Sequence, residues 1–175
     1  MAAMQVDPGL WWGADMDAES FLSYFDDKRF IPDLRSRTKE SVLGELSRAL
    51  ADDDEIRNPA VLLEMIRRRE SLGSTGLGKG VAIPHGRSTA AADTRVVFGV
   101  SRRGVDYAAP DGEPCRLFFL IVAPYEDPRH EYLPLLGKIV ELVNEKPLRE
   151  KLLAGQTFAE FQATIREAMG ERPGA

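Results

Sequence analysis

Apolar positions fall into two rhythms along this chain, one helical and one extended. After Thr38, which reads as a cap, Val42, Leu43, Leu46, Ala49 and Leu50 recur at helical spacing. Asn58-Pro59 opens a second helix, with cap and proline in their favoured places. Its predicted buried face is Leu62, Met65 and Ile66, with Arg69 next on the same side. A short helix fits Phe21, Leu22 and Phe25, and Phe30-Ile31-Pro32-Asp33-Leu34 reads as extended, its proline placing it at a sheet edge. Thr94 to Arg102, through Val96, Val97, Phe98 and Val100, reads as a strand. Leu117 to Val122 is apolar at every position, the pattern of a central strand covered by helices on both faces. Between the helices and strands lie a glycine-rich loop from Gly73 to Gly80, an acidic turn Asp52-Asp53-Asp54-Glu55 expected to be solvated, and a turn at Pro110–Pro114.

The last third is helical, with Leu135, Leu136, Ile139, Val140 and Val143 inside. Pro134 is tolerated only in a first turn, so that helix starts no earlier than about Glu131 and leaves His130 at or just before its N-terminus. Pro147 opens a short helix that ends at Gly155. Thr157-Phe158-Ala159-Glu160 has the form of a capping box, ahead of a stripe at Phe158, Phe161, Ile165 and Ala168. The prediction is a single α/β domain over 18–170, a small mixed β-sheet with helices on both faces. It lies between a loosely ordered leader at 1–17 and a tail at 171–175. Trp11-Trp12 in the leader either anchors a partner or folds back onto the domain.

Composition narrows the function classes. The chain has 175 residues, 43% hydrophobic and 29% charged, an ordinary globular balance. A net charge of −5 argues against nucleic acid as a partner. The longest apolar run, Leu117 to Ala123, is far short of the ~20 residues a membrane span needs, and no signal peptide is evident, so a cytoplasmic location is expected. One cysteine, Cys115, forms no internal disulfide, and with two histidines it cannot complete a four-ligand zinc cage. No metal or cofactor is predicted.

His85 stands between Pro84 and Gly86, just after the glycine-rich loop. The proline fixes the backbone before it, and the glycine leaves room beside the ring. Ser74, Thr75 and the amides of Gly76, Gly78 and Gly80 are donors able to form an anion nest. An imidazole nitrogen beside such a cradle suits a phosphoryl acceptor, since the neutral ring attacks phosphorus while donors hold the oxygens. A histidine at a strand end, with glycines that only make a turn, is the alternative. The loop is neither a Walker A nor a dinucleotide fingerprint.

The stretch Arg69-Glu70-Ser71-Leu72-Gly73-Ser74-Thr75-Gly76-Leu77-Gly78-Lys79-Gly80-Val81-Ala82-Ile83-Pro84-His85-Gly86 closely resembles the signature of the type-2 (fructose/mannitol/nitrogen-regulatory) IIA domains of the phosphoenolpyruvate-dependent phosphotransferase system. The likeness runs from about Phe21 to Met169, with Arg69 and His85 16 residues apart and His85 and His130 45 apart. The Gly-Ser-Thr-Gly form is nearer to the nitrogen-regulatory and fructose branches than to the mannitol branch. The resemblance implies that His85 takes a phosphoryl group from an HPr-like phosphocarrier protein as a phosphohistidine intermediate. His130 and Arg69 would support that group, with Ser74, Thr75 and Gly76 around it. Free amides at the helix start near His130 would add donors on the anion's side. The acceptor would be a IIB domain, in a detached subunit of a fructose-type sugar transporter, or a regulatory target protein; a non-catalytic binding module on the same fold is the third possibility. Arg87 is within reach of the phosphate or solvated at the surface. Lys79 and Pro134 depart from the family pattern, and Lys79 either aids phosphate binding or alters the choice of donor.

Overall fold

The computed structural model describes residues 16–170. The leader's Trp11 and Trp12 and the whole of the predicted tail lie outside those residues. Helix α1 (Ala18–Leu22) is followed by a 3₁₀ turn and the short strand β1 (Phe30–Ile31). Helices α2 (Lys39–Arg48) and α3 (Pro59–Ser71) come next, then strands β2 (Gly76–Gly78), β3 (Val81–Ala82), β4 (His85–Ser88), β5 (Arg95–Val105) and β6 (Cys115–Pro124). Helices α4 (Tyr132–Val143), α5 (Lys146–Ala154) and α6 (Phe158–Ala168) complete the order. Thr38 caps α2 and Asn58 caps α3, each through its side-chain oxygen, as the sequence predicts.

The strands form one mixed sheet in the order β1-β5-β6-β3-β2, with β4 also on β6. β1 holds the edge that its following proline requires. β6 is central: β5 runs antiparallel on one side, and β3 and β4 run parallel, end to end, along the other. Alternate residues of β6 serve different cores, which explains why none is polar from Leu117 to Ala123. Leu117, Phe119, Ile121 and Ala123 pack with α1, α4, α5 and α6. Phe118, Leu120 and Val122 pack with α2 and α3. On the first face the Phe98 ring stacks on Phe161 at a centroid distance of 4.8 Å and meets Phe119, tilted, at 4.9 Å. Each such buried aromatic contributes about 1.5–3 kcal/mol. No helix among the described residues is long and apolar enough to cross a membrane.

Four local expectations are corrected. Asp53, in the acidic turn, is not solvated: its side chain is 10% exposed and accepts hydrogen bonds from Arg29 Nη1 (2.9 Å) and Arg95 Nε (3.1 Å). The turn folds over two cations from distant segments, and a buried carboxylate needs such partners. The glycine-rich loop is a tight β2–β3 hairpin. At α6, Thr157 accepts from the Glu160 amide, but the Glu160 carboxylate takes the Gln156 amide, so the box is not reciprocal. Ala168 is exposed, and Met169 packs on the core in its place.

Candidate active site

His85 begins β4 where the edge along β6 breaks at Ile83-Pro84. The break frees the Ile83 carbonyl, which lies 2.6 Å from His85 Nδ1. A carbonyl only accepts, so Nδ1 carries the proton and, in the neutral ring, Nε2 keeps its lone pair. Burial lowers the His85 pKa below its ordinary value. The Ile83 carbonyl opposes this shift, Arg69 adds to it, and Glu70 partly offsets it. The ring is therefore held neutral with one nitrogen free, the form a nucleophile needs.

The half-buried ring opens on a cleft of about 590 Å³. Arg69, Ser74, Thr75 and Gly76 form one wall with Leu77, and Leu136, Gly137, Val140 and Glu141 of α4 form the other. Five of the sequence-predicted residues thus share one cavity. Arg69, in the last turn of α3, donates from Nη1 to the Gly73 carbonyl at 3.1 Å. It has no carboxylate partner among the described residues.

The loop donors are differently employed from the nest expected of them. Thr75 donates both its amide (2.9 Å) and its hydroxyl (2.6 Å) to the buried carboxylate of Glu70. Ser74 Oγ donates to the Tyr107 carbonyl at 2.8 Å and accepts the Gly76 amide at 3.1 Å. The Lys79 amide goes to Asp111. The hairpin needs these bonds to close, so these donors brace the wall of the cleft. Gly86 has a different use as well. A Cβ there would collide with Met65 Sδ, so α3 already fills the room beside this glycine.

His130 is exposed on the turn before α4, in a left-handed conformation (φ 55°), and is not among the cleft's walls. Helix α4 starts at Tyr132, one residue from the proline-based boundary. Its first amides are not free: Asp127 Oδ1 accepts the Glu131 amide (3.0 Å) and Oδ2 the Tyr132 amide (3.2 Å). The side chain from this segment that meets His85 is Tyr132, with ring centroids 6.0 Å apart. Arg87 lies over the ring of that tyrosine, its guanidinium carbon 5.6 Å from the ring centroid. Lys79 Nζ donates to Asn144 Oδ1 at 2.8 Å, tying the hairpin tip to the end of α4. Cys115 is buried, and burial pushes its thiol up to about 11.

Sequence reasoning missed Glu70, Asp127 and Tyr132 as organisers of this region. Asp127-Pro128 ahead of a helix carried a capping signal; Glu70 and Tyr132 carried none. A larger cavity of about 910 Å³ surrounds Arg29, Asp53 and Arg95 but holds no histidine or cysteine. No group of three or more metal-ligating side chains occurs among the described residues.

Residues 23–168 match the family model described as phosphoenolpyruvate-dependent sugar phosphotransferase system, EIIA 2. The chain is 33% identical over 124 residues to the fructose-specific EIIABC component of Bacillus subtilis, a match covering 71% of this chain and 19% of that protein. It is 33% identical over 126 residues to the nitrogen regulatory protein of Bradyrhizobium diazoefficiens, covering 72% and 81%. Among solved structures it is similar to the nitrogen regulatory protein IIA-Ntr of Neisseria meningitidis, with a TM-score of 0.76, 31% identity, and coverage of 82% and 97%.

Proposed function

Since the chain belongs to the EIIA type-2 family of the phosphoenolpyruvate-dependent sugar phosphotransferase system, we propose that it is a phosphoryl carrier whose acceptor atom is His85 Nε2. The donor is a phosphorylated HPr-like carrier protein, and the protein works in the cytoplasm. The observation that carries this reading is the 2.6 Å contact from His85 Nδ1 to the Ile83 carbonyl, which leaves Nε2 as the ring's lone-pair nitrogen. Nε2 attacks phosphorus, a new N–P bond forms, and the donor's P–N bond breaks with its electron pair returning to the donor nitrogen. Positive charge develops on the His85 ring, and the Ile83 carbonyl facing Nδ1–H stabilises it. Charge on the transferring oxygens is met by Arg69, whose guanidinium has no carboxylate partner among the described residues. Ser74, Thr75 and Gly76 shape the wall against which the group sits.

The output is regulatory: the phosphorylation state is read by a target protein. Support comes from relatives named nitrogen regulatory proteins, whose lengths this chain nearly spans. A second reading makes the chain the IIA unit of a sugar transporter, handing phosphate to a IIB domain. The Bacillus relative favours it, since its name joins A, B and C parts in one fructose component.

Intact-mass measurement after mixing with phosphoenolpyruvate, enzyme I and HPr tests the chemistry. One phosphoryl group is expected, labile in acid and stable in alkali, and absent from His85→Ala. Uptake by His85→Ala equal to wild type would sink the assignment, and no uptake by either protein would leave a binding module. Adding a fructose-type IIB domain then separates the outputs, because only the transport reading expects the phosphate to leave.

A further inference from the structure

Tyr132 serves two residues of β4 at once. Residues two apart on a strand face the same side, roughly 6.6 Å apart, so His85 and Arg87 rise together from β4. The Tyr132 ring lies 6.0 Å from the His85 ring, and the Arg87 guanidinium carbon lies 5.6 Å from the centre of that same tyrosine ring. Tyr132 is fixed from below, being 8% exposed and having its amide capped by Asp127. Burial pushes its phenol up to about 12, against the opposing fields of Arg87 and then Arg69. Both guanidiniums thus act on one small region beside the histidine.

Arg87 is exposed and has no carboxylate partner among the described residues. Arg29, Arg67, Arg68 and Arg95 each have one. A cation that is held on a ring face but not neutralised keeps its five donors for an incoming anion. A guanidinium free in solvent would have no reason to settle on the one ring that also touches His85.

We propose that Arg87 is a second cationic contact for the phosphoryl group on His85, and that Tyr132 is the residue that positions it. The proposal rests on reading His85 as the acceptor. Arg69 reaches the group from α3 and Arg87 from β4, so charge spread over the equatorial oxygens is met from two sides. The bond changes are those already given; Arg87 neither gains nor loses a proton.

Single-turnover phosphorylation tests this, with two donors: phosphorylated HPr and the small phosphodonor phosphoramidate. Loss of one charge-assisted contact predicts that Arg87→Ala is slower by about tenfold with both, with Arg87→Lys between it and wild type. Tyr132→Leu slows transfer similarly, and Tyr132→Phe, which keeps the ring face, restores most of the rate. The Arg87→Ala/Tyr132→Leu double variant is no slower than Arg87→Ala alone, because both changes remove one contact. In ³¹P titrations of the phosphorylated protein, Arg87→Ala moves the phosphoryl ionisation to higher pH. Wild-type rates in Arg87→Ala, with His85→Ala still silent, overturn this proposal and leave the acceptor assignment standing. A defect confined to the protein donor also overturns it, since Arg87 would then contact HPr. Phosphate uptake by His85→Ala overturns the acceptor assignment itself.

Discussion

Replacing Glu70 by alanine removes the one carboxylate that holds the wall of the cleft. Glu70 accepts from the Thr75 amide at 2.9 Å, the Thr75 hydroxyl at 2.6 Å and Lys39 Nζ at 2.7 Å. The three donors fare differently when it is gone. Lys39, with a side chain 28% exposed, can turn to water. The Thr75 hydroxyl keeps a neighbour in the Tyr107 hydroxyl at 3.2 Å. The Thr75 amide is buried with nothing else to accept it, and an orphaned donor of that kind costs about 1–3 kcal/mol. Adding the lost carboxylate contacts gives a destabilisation of about 3 kcal/mol, the low end for breaking a buried charge pair. At this chain length that lowers the melting temperature by about 6–12 °C. The dependence on pH gives a second check. Burial alone would raise the Glu70 pKa, but hydrogen bonds from Lys39 and Thr75 outweigh it and hold it below the ordinary carboxylate value. A depressed carboxylate contributes stability that is present above its unfolded pKa and is lost as pH falls through its folded one. Thermal unfolding followed by circular dichroism should show Glu70→Ala well below wild type at neutral pH, with the gap closing in acid. A variant melting within a degree or two of wild type at neutral pH refutes the role given to this carboxylate.

Two further outcomes concern His85 and the turn before α4. Burial, reinforced by Arg69, lowers the His85 pKa, so the nucleophilic neutral ring persists to a lower pH than free imidazole would allow. The acid limb of the single-turnover rate profile should lie below the ordinary histidine value, and Arg69→Gln should move it to higher pH; an unmoved limb would separate Arg69 from His85. Asp127→Ala uncaps α4, which costs about 1 kcal/mol and lowers the melting temperature by about 2–4 °C. It should also weaken ¹H–¹⁵N exchange protection at Glu131 and Tyr132, whose amides it holds; unchanged protection there would contradict the cap.

The parts of the fold that could be read from sequence are those decided by neighbours in the chain. Pro134 bounds the start of α4 because a proline conflicts with residues only one turn away. The unbroken apolar run of β6 identifies it as central because each face needs its own alternate residues. Partners distant in sequence are where such reading ends. Asp53 looks solvated within its acidic turn because the arginines that bury it stand 24 and 42 residues away. Ser74 looks free to bind an anion because the Tyr107 carbonyl that takes its proton is 33 residues on. Gly86 looks like an opening because Met65, which fills it, belongs to another element. Spacing reveals which donors a loop owns; it does not reveal which acceptors the fold brings to them.

Arg69 and Glu70 show how the chain resolves a conflict inside the signature itself. Two opposite charges adjacent in sequence should neutralise each other, and an arginine so spent would do little for a phosphoryl group. On a helix, successive side chains diverge by about 100°, so neighbours do not face one another. Arg69 therefore lines the cleft, while Glu70 points inward to Thr75 and Lys39. Lys39, from α2, supplies the charge that balances Glu70. The carboxylate fixes the wall, a different cation balances it, and the guanidinium beside His85 is left for the phosphoryl group. Swapping Lys39 for methionine puts that sorting to work: Glu70 loses its balancing cation, and its hold on the Thr75 wall of the cleft weakens. Phosphoryl transfer to His85 should then slow even though no residue of the cleft has been altered.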